Sequence, residues 1–298
     1  MSAPLLMVLA SFLFATMSLC VKMASAWYGA GEIVLYRGLV GMVMMACIAR
    51  RQGHTLKTSV PGMHLWRCAV GTSALSLWFY AIGGLPLATA VTLNYMSSIW
   101  MALFLIGGAV LLGGARVDSR LVMAVLAGFA GVAAILRPTF EQQQLWHGLI
   151  GLLSGVLSAM AYLQVTALGR AGEPESRVVF YFSTAGAVVG LVTALGSTGL
   201  HPHTSWQGPV LLLAVGVCAT TAQVAMTRAY SIGRPLVNAS LQYLGIAFSY
   251  AYGVFLLDDA VTALGLLGTV LIVGAGVMAS RLRQEQPSAR SDKSDIDA

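Results

Sequence analysis

Apolar runs of about twenty residues follow one another along almost the whole chain, parted by short polar connections. Taking ~20 residues as the length that crosses the hydrocarbon core of a bilayer, ten spans are predicted. They lie at about 4–23, 32–49, 65–83, 87–108, 119–136, 147–168, 178–197, 209–228, 235–257 and 261–280. The longest connection, RRQGHTLKTSVPGMH at 50–64, is also the most basic. Beyond Arg281 the chain becomes polar, rich in Ser, Asp, Arg and Lys, and 284–298 is expected to be a disordered cytoplasmic tail.

The pattern also repeats. FYAIGGLPLATAVTLNYMSSIWMALFLIGG, at 79–108, is an apolar run broken once by Gly-Gly-Leu-Pro, and a loose copy stands 149 positions later. Gly84, Pro86, Leu87 and Ala90 match Gly233, Pro235, Leu236 and Ala239, while Gly131-Val132 matches Gly276-Val277 at an offset of 145. A repeat of this kind divides the chain into two related halves, 1–137 and 147–283, with five spans each. Five is odd, so the second half enters the membrane from the opposite side. The expected fold is therefore an all-α integral membrane protein, ten transmembrane helices forming two inverted five-helix repeats. That architecture belongs to secondary transporters, whose binding site lies near the midplane between the halves.

Composition agrees with this reading. Of 298 residues, 57% are hydrophobic and 9% charged, against roughly 25% charged in a soluble domain. The net charge of +6 has no basic–aromatic cluster to offer a nucleic acid, and its placement follows membrane topology instead. Of the 17 Lys and Arg, all but Lys22, Arg37 and Arg137 fall on cytoplasmic connections or their flanks if both ends are inside. The protein is thus expected in the cytoplasmic membrane, N-in and C-in, with Trp27, Trp146 and Trp206 at the outer interface and Trp66 at the inner one. Ala24-Ser25-Ala26 has the look of a signal-peptidase site. Pro4 to Val21 is too long for a signal h-region, however, and lacks a preceding Lys or Arg, so it reads as the first span. Cys20, Cys47, Cys68 and Cys218 lie in apolar runs without CxxC spacing and read as packing residues.

The turns YAIGGLPLATA (80–90) and AYSIGRPLVNA (229–239), with Lys22 ending the first span and Arg37 in the second, resemble the EamA-type branch of the drug/metabolite transporter superfamily. The resemblance covers about 4–283. It implies a ten-helix carrier of amino acids, nucleotide sugars, cofactors or drugs, with spans one, three, four, six, eight and nine around a central cavity. A Gly-Glu pair often follows the fourth helix of each half in that family. Here the first half has Leu112-Gly113-Gly114-Ala115 and the second Asp258-Asp259, which puts any role of the first-half glutamate in doubt.

Polar side chains at membrane depth cost free energy unless paired or facing water, and they gather on those same spans. The fourth carries Asn94, Tyr95, Ser98 and Trp100; the third carries Trp78 with Ser73, Ser76 and Tyr80; the sixth carries Tyr162 and Gln164. The eighth carries Gln223, and the ninth Ser240, Gln242, Tyr243 and Tyr250. As a set they are expected to line a substrate cavity, although helix–helix hydrogen bonding explains any one of them equally well. Arg37 either meets a substrate carboxylate or phosphate, or snorkels outward to pair with Glu32. His201 and His203 lack a third ligand nearby for a metal. Small residues four apart, Gly151/Gly155, Gly186/Gly190 and Ala127/Gly131, are expected to pack helices within the molecule.

No carboxylate stands at the centre of a span, and no Walker motif is present. The expectation is a facilitator or exchanger moving small organic metabolites, with export of amino acids or related amphipathic compounds foremost. Its partners would be a small-molecule substrate and the lipid bilayer, without nucleic acid or cofactor. A proton-coupled drug efflux pump would need a mid-membrane carboxylate. A membrane enzyme of lipid chemistry would need an Asp-rich, HExxH or GxSxG motif, and the chain has none. Nothing in the sequence specifies an oligomeric state.

Overall fold

The computed structural model describes residues 2–53, 55–111, 123, 126, 127, 130, 142–197, 199–203, 206–233, 238, 241–258 and 263–284. Among these residues every regular element is a helix. They are α1 (Ala3–Ala24), α2 (Ala30–Arg51), α3 (Pro61–Gly84), α4 (Leu87–Tyr95) and α5 (Ser97–Leu111), then α6 (Gln142–Arg170), α7 (Glu175–Gly196), α8 (Gln207–Ile232), α9 (Leu244–Leu256) and α10 (Ala263–Gln284). By length and composition α1, α2, α6, α7 and α8 can each cross a membrane. The predicted fifth span and the tail after Gln284 lie outside the described residues, apart from four isolated positions in the former.

Two predicted spans differ from the sequence reading in the same way. The fourth is interrupted at Met96 and forms α4 and α5, and the ninth is interrupted at Tyr243. Neither break holds a proline, so chain composition gave no sign of it. At the first, α6 approaches so closely that a Cβ on Gly155 would stand 2.8 Å from the Leu93 carbonyl oxygen and 3.1 Å from that of Asn94.

Large apolar side chains such as Leu65, Val188, Leu195, Val270 and Phe255 stay exposed on the outside, the arrangement lipid favours and water does not. Trp27, Trp66, Trp146 and Trp206 are all exposed as well. Inside, α2 packs against α7, α1 against α8, and α3 against α6. The α2–α7 crossing is tight because Gly38 meets Ala187 and Gly190 meets the backbone of Leu35, where any Cβ would collide. Gly155 serves the α4–α6 contact in the same way, whereas a Cβ on Gly151 would make only ordinary contact with Ala81 and Leu93, and Gly186 faces open space. Gly131 lies outside the described residues.

The Gly-Gly-Leu-Pro turn is held by Lys22. Its Nζ donates to the carbonyls of Ile82 (3.2 Å), Gly83 (3.4 Å) and Leu85 (2.7 Å). A cation thereby satisfies the orphaned carbonyls at the C-terminus of α3, where the helix dipole also favours positive charge.

Candidate functional site

A small cavity of about 40 Å³ is lined by Phe14, Arg37, Arg67, Gly71, Ala74, Leu75, Trp78, Tyr95, Ser158, Ala161, Tyr162, Phe182 and Gln223, residues drawn from both halves of the sequence. It is narrow, with room for only about three waters at ~10–15 Å³ each. Its walls come from α1, α2, α3, α4, α6, α7 and α8.

Arg37 and Arg67 dominate the site. They are 3% and 2% exposed, and both guanidinium groups stack on Phe182, with Cζ 5.0 Å and 4.0 Å from the ring centroid. Arg37 does not snorkel to Glu32, which instead accepts from the Nδ1 (2.9 Å) and backbone N–H of His201. Arg67 is a second correction, since its position near the start of the third span suggested a cytoplasmic flank. Helix α3 begins at Pro61, earlier than predicted, so Arg67 stands six residues in, ~9 Å along the axis at 1.5 Å per residue. Proline at the first turn is a legible helix start, and it was the available signal. Gly71, one turn on, leaves room for the guanidinium: a Cβ there would occupy the place of Arg67 Nη1.

Of the other expected residues, Trp78, Tyr95, Tyr162 and Gln223 join Arg37 in the cavity wall. Asn94 sits behind it, its Nδ2 donating to Ser154 (2.9 Å) and to Ser158 (3.1 Å) on α6. Gln242 lies one layer further out. It accepts from Tyr230 at 3.4 Å, and Tyr230 stacks on Tyr162 with ring centroids 5.9 Å apart. Gln164 donates to the Met63 carbonyl at 3.4 Å, near the start of α3. Tyr243 and Tyr250 face a separate apolar groove between α9 and α10, while Ser98 is buried and Trp100 packs at the edge of the core. Arg67, Gly71, Phe14 and Phe182 escaped the sequence reading. The family pattern also left out α2 and α7, which supply Arg37 and Phe182.

Each end of the molecule carries a pinned loop. At one end Tyr28 bonds His203 Nδ1 (2.9 Å), Tyr36 bonds His203 Nε2 (3.0 Å) and Glu32 holds His201. Burial pushes the Tyr28 phenol up, with Glu32 and Tyr36 adding to the shift, so it stays protonated. At the other end Glu173 accepts from Thr58 (2.9 Å) and Arg177 (3.0 Å) and meets His64 at 3.0 Å, while Arg177 donates to the Thr55 carbonyl and Tyr181 to that of Leu56. Burial alone would raise the Glu173 carboxyl, but hydrogen bonds from His64, Arg177 and Thr58, and the Arg177 charge, hold it below the usual carboxylate range. Gly172, at φ +78°, makes the left-handed turn that ends α6 and presents Glu173.

Both triads have i, i+4, i+8 spacing, and each residue of the second stands 145 positions after one of the first: Tyr28 and Glu173, Glu32 and Arg177, Tyr36 and Tyr181. Arg37 and Phe182 have the same separation.

The EamA-like transporter family matches residues 1–137. A pseudopaline exporter of Pseudomonas aeruginosa is 33% identical over 95% of this chain and 97% of its own. The chain belongs to the EamA-like transporter family. More distant relatives include a riboflavin transporter of Brucella anthropi, 23% identical over 91% of this chain and 96% of its own. An S-adenosylmethionine uptake transporter of Rickettsia bellii is 21% identical over 82% of this chain and 81% of its own. A solved crystal structure shares the fold with a TM-score of 0.68 at 17% identity, covering 95% of this chain and 99% of that one. As a member of a family of small-molecule transporters, the chain is an integral membrane protein that moves a metabolite.

Proposed function

We propose that this EamA-family protein is a secondary transporter that exports a small organic metabolite across the cytoplasmic membrane by alternating access. Amino acids and related amphipathic compounds are the expected cargo, and the relative at 33% identity is an exporter. The observation that carries the reading is a buried cavity, mainly apolar but holding two arginines, between two halves of the sequence with a pinned loop at each end of the molecule. Inverted repeats support it: exchanging the halves turns the α1–α8 packing into α6–α3 and returns α2–α7 to itself, as a two-fold axis between α2 and α7 requires. Residues 1–137 and 147–283 are then the two repeats, N-in and C-in, with the Glu173 latch cytoplasmic and the Glu32 latch outside.

In this mechanism Trp78, Tyr95, Tyr162, Gln223 and Arg37 contact the substrate together with Arg67. Asn94, Ser98, Trp100, Gln164, Gln242, Tyr243 and Tyr250 shape or support the walls, or meet the substrate when one latch has opened. Glu32 and Glu173 are committed to loop contacts, which fits a carrier driven by the substrate gradient. The test is solute counterflow in proteoliposomes over a panel of labelled metabolites, with and without a pH gradient. Similar rates under both conditions are expected, and a strict requirement for the gradient would replace the facilitator with a proton-coupled pump.

A further inference from the structure

The cavity buries two positive charges without burying a negative one. Among its described wall residues there is no Asp or Glu, and the two buried carboxylates that are described, Glu32 and Glu173, are bound to loops at the molecular ends. The Phe182 ring faces both guanidinium groups. A cation–π contact returns ~2 kcal/mol when desolvated, whereas desolvating an ion costs several kcal/mol. The balance is unfavourable unless something else enters the cavity.

The unsatisfied atoms say what that is. Arg37 Nε, Arg67 Nε and Nη1, Trp78 Nε1 and Gln223 Nε2 are buried in these walls without hydrogen-bond partners, and every one of them is a donor. A ligand that completes them is rich in acceptors and negatively charged. Two guanidinium groups over one ring can have their Cζ atoms about 9 Å apart at most, the sum of their distances from its centroid. Each presents a planar fork suited to a carboxylate. Phe14, Ala74 and Leu75 supply apolar wall for a short hydrocarbon body between the anionic ends.

We propose that this cavity, which in the closed form has room for only about three waters, widens as one latch opens to bind a dianionic organic acid, one carboxylate to Arg37 and one to Arg67, and rejects cations and uncharged analogues. The site assignment stands on the cavity itself; its use in transport rests on the function proposed above. Arg67 reaches its place only because position 71 is glycine, so Gly71 is part of the specificity.

The experiment measures melting temperature of the purified full-length protein at neutral pH. The probes are succinate, glutarate and adipate, their monoamides and diamides, the matching diamines, and sodium sulfate as an ionic control. At least one dianion is expected to raise the melting temperature by about 2 °C or more, its monoamide by less, and the diamides, diamines and sulfate not at all. Arg37→Gln and Arg67→Gln should each abolish the shift, and Arg67→Lys should keep part of it. Without ligand, the Gln variants should melt no lower than wild type, because an unpaired buried charge has been removed. No shift with any dianion, equal shifts in the Gln variants, a larger shift with a diamine or diamide, or ligand-free Gln variants that melt several degrees lower would each overturn the proposal. Counterflow keeps the two readings apart. Dianion binding without movement of any solute would remove the transporter and leave the site, and movement of neutral or cationic solutes without dianion binding would do the reverse.

Discussion

Asn94 illustrates how a polar residue at membrane depth divides its role between packing and substrate. Its amide nitrogen holds two serines of α6, so Asn94→Ala should destabilise the α4–α6 contact by about 1–3 kcal/mol, measurable by chemical or thermal denaturation. A loss of transport with unchanged stability would instead place it against the substrate. Hydroxyl groups were the least legible feature of the sequence. Ser11, Ser18, Thr72, Ser73, Thr92 and Thr220 each donate to the carbonyl four residues earlier. Helical Ser and Thr can satisfy themselves this way and need no cavity. Arg37, Trp78, Tyr95, Tyr162 and Gln223 were legible because their polar groups have no such local partner. Arg67 was not, because charge counting assigns any arginine near a span end to the surface. Gly71→Ala should displace its guanidinium and weaken substrate binding or transport at least tenfold with expression intact, read as a dose–response in vesicles.

At the scale of elements, hydrophobic periodicity located the helices and missed the breaks at Met96 and Tyr243, because the apolar pattern runs on through both without a proline. The turn between α3 and α4 depends on Lys22, and Lys22→Met should leave its carbonyls uncapped at a cost of ~1.5–3 kcal/mol, seen as a lower melting temperature. The Glu173 latch has a pH signature. Its carboxyl is held below the ordinary value of 4.5, so its contribution is complete above that value and is lost as pH falls through the lower folded value. Wild type should therefore exceed Glu173→Gln by ~1.5–3 kcal/mol at neutral pH, with the two converging in acid. A difference that grows on acidification would contradict the assigned direction.

For the whole molecule, the offset of 145 that was faint in the sequence, resting on one Gly-Val pair, recurs in contacts at both ends and at Arg37 and Phe182. Three of the four pairs differ in type (Tyr with Glu, Glu with Arg, Arg with Phe) and Tyr36 with Tyr181 alone agrees, so sequence comparison gave little sign of them; their proposed common role lies in what they touch. The proposed orientation rests on the basic residues, and under it reporters of cytoplasmic location fused after Lys57 and after Arg283 should both read inside.

If one cavity opens alternately to the two faces, a residue in its wall must be reachable from both. Ala74 lines the cavity and is buried. With Cys20, Cys47, Cys68 and Cys218 replaced, Ala74→Cys in oriented vesicles would be exposed to a membrane-impermeant thiol reagent from each side in turn. Labelling is expected from both sides, faster from the cytoplasmic side when Glu173→Gln opens that latch. Labelling from one side only, unchanged by either latch, would contradict alternating access.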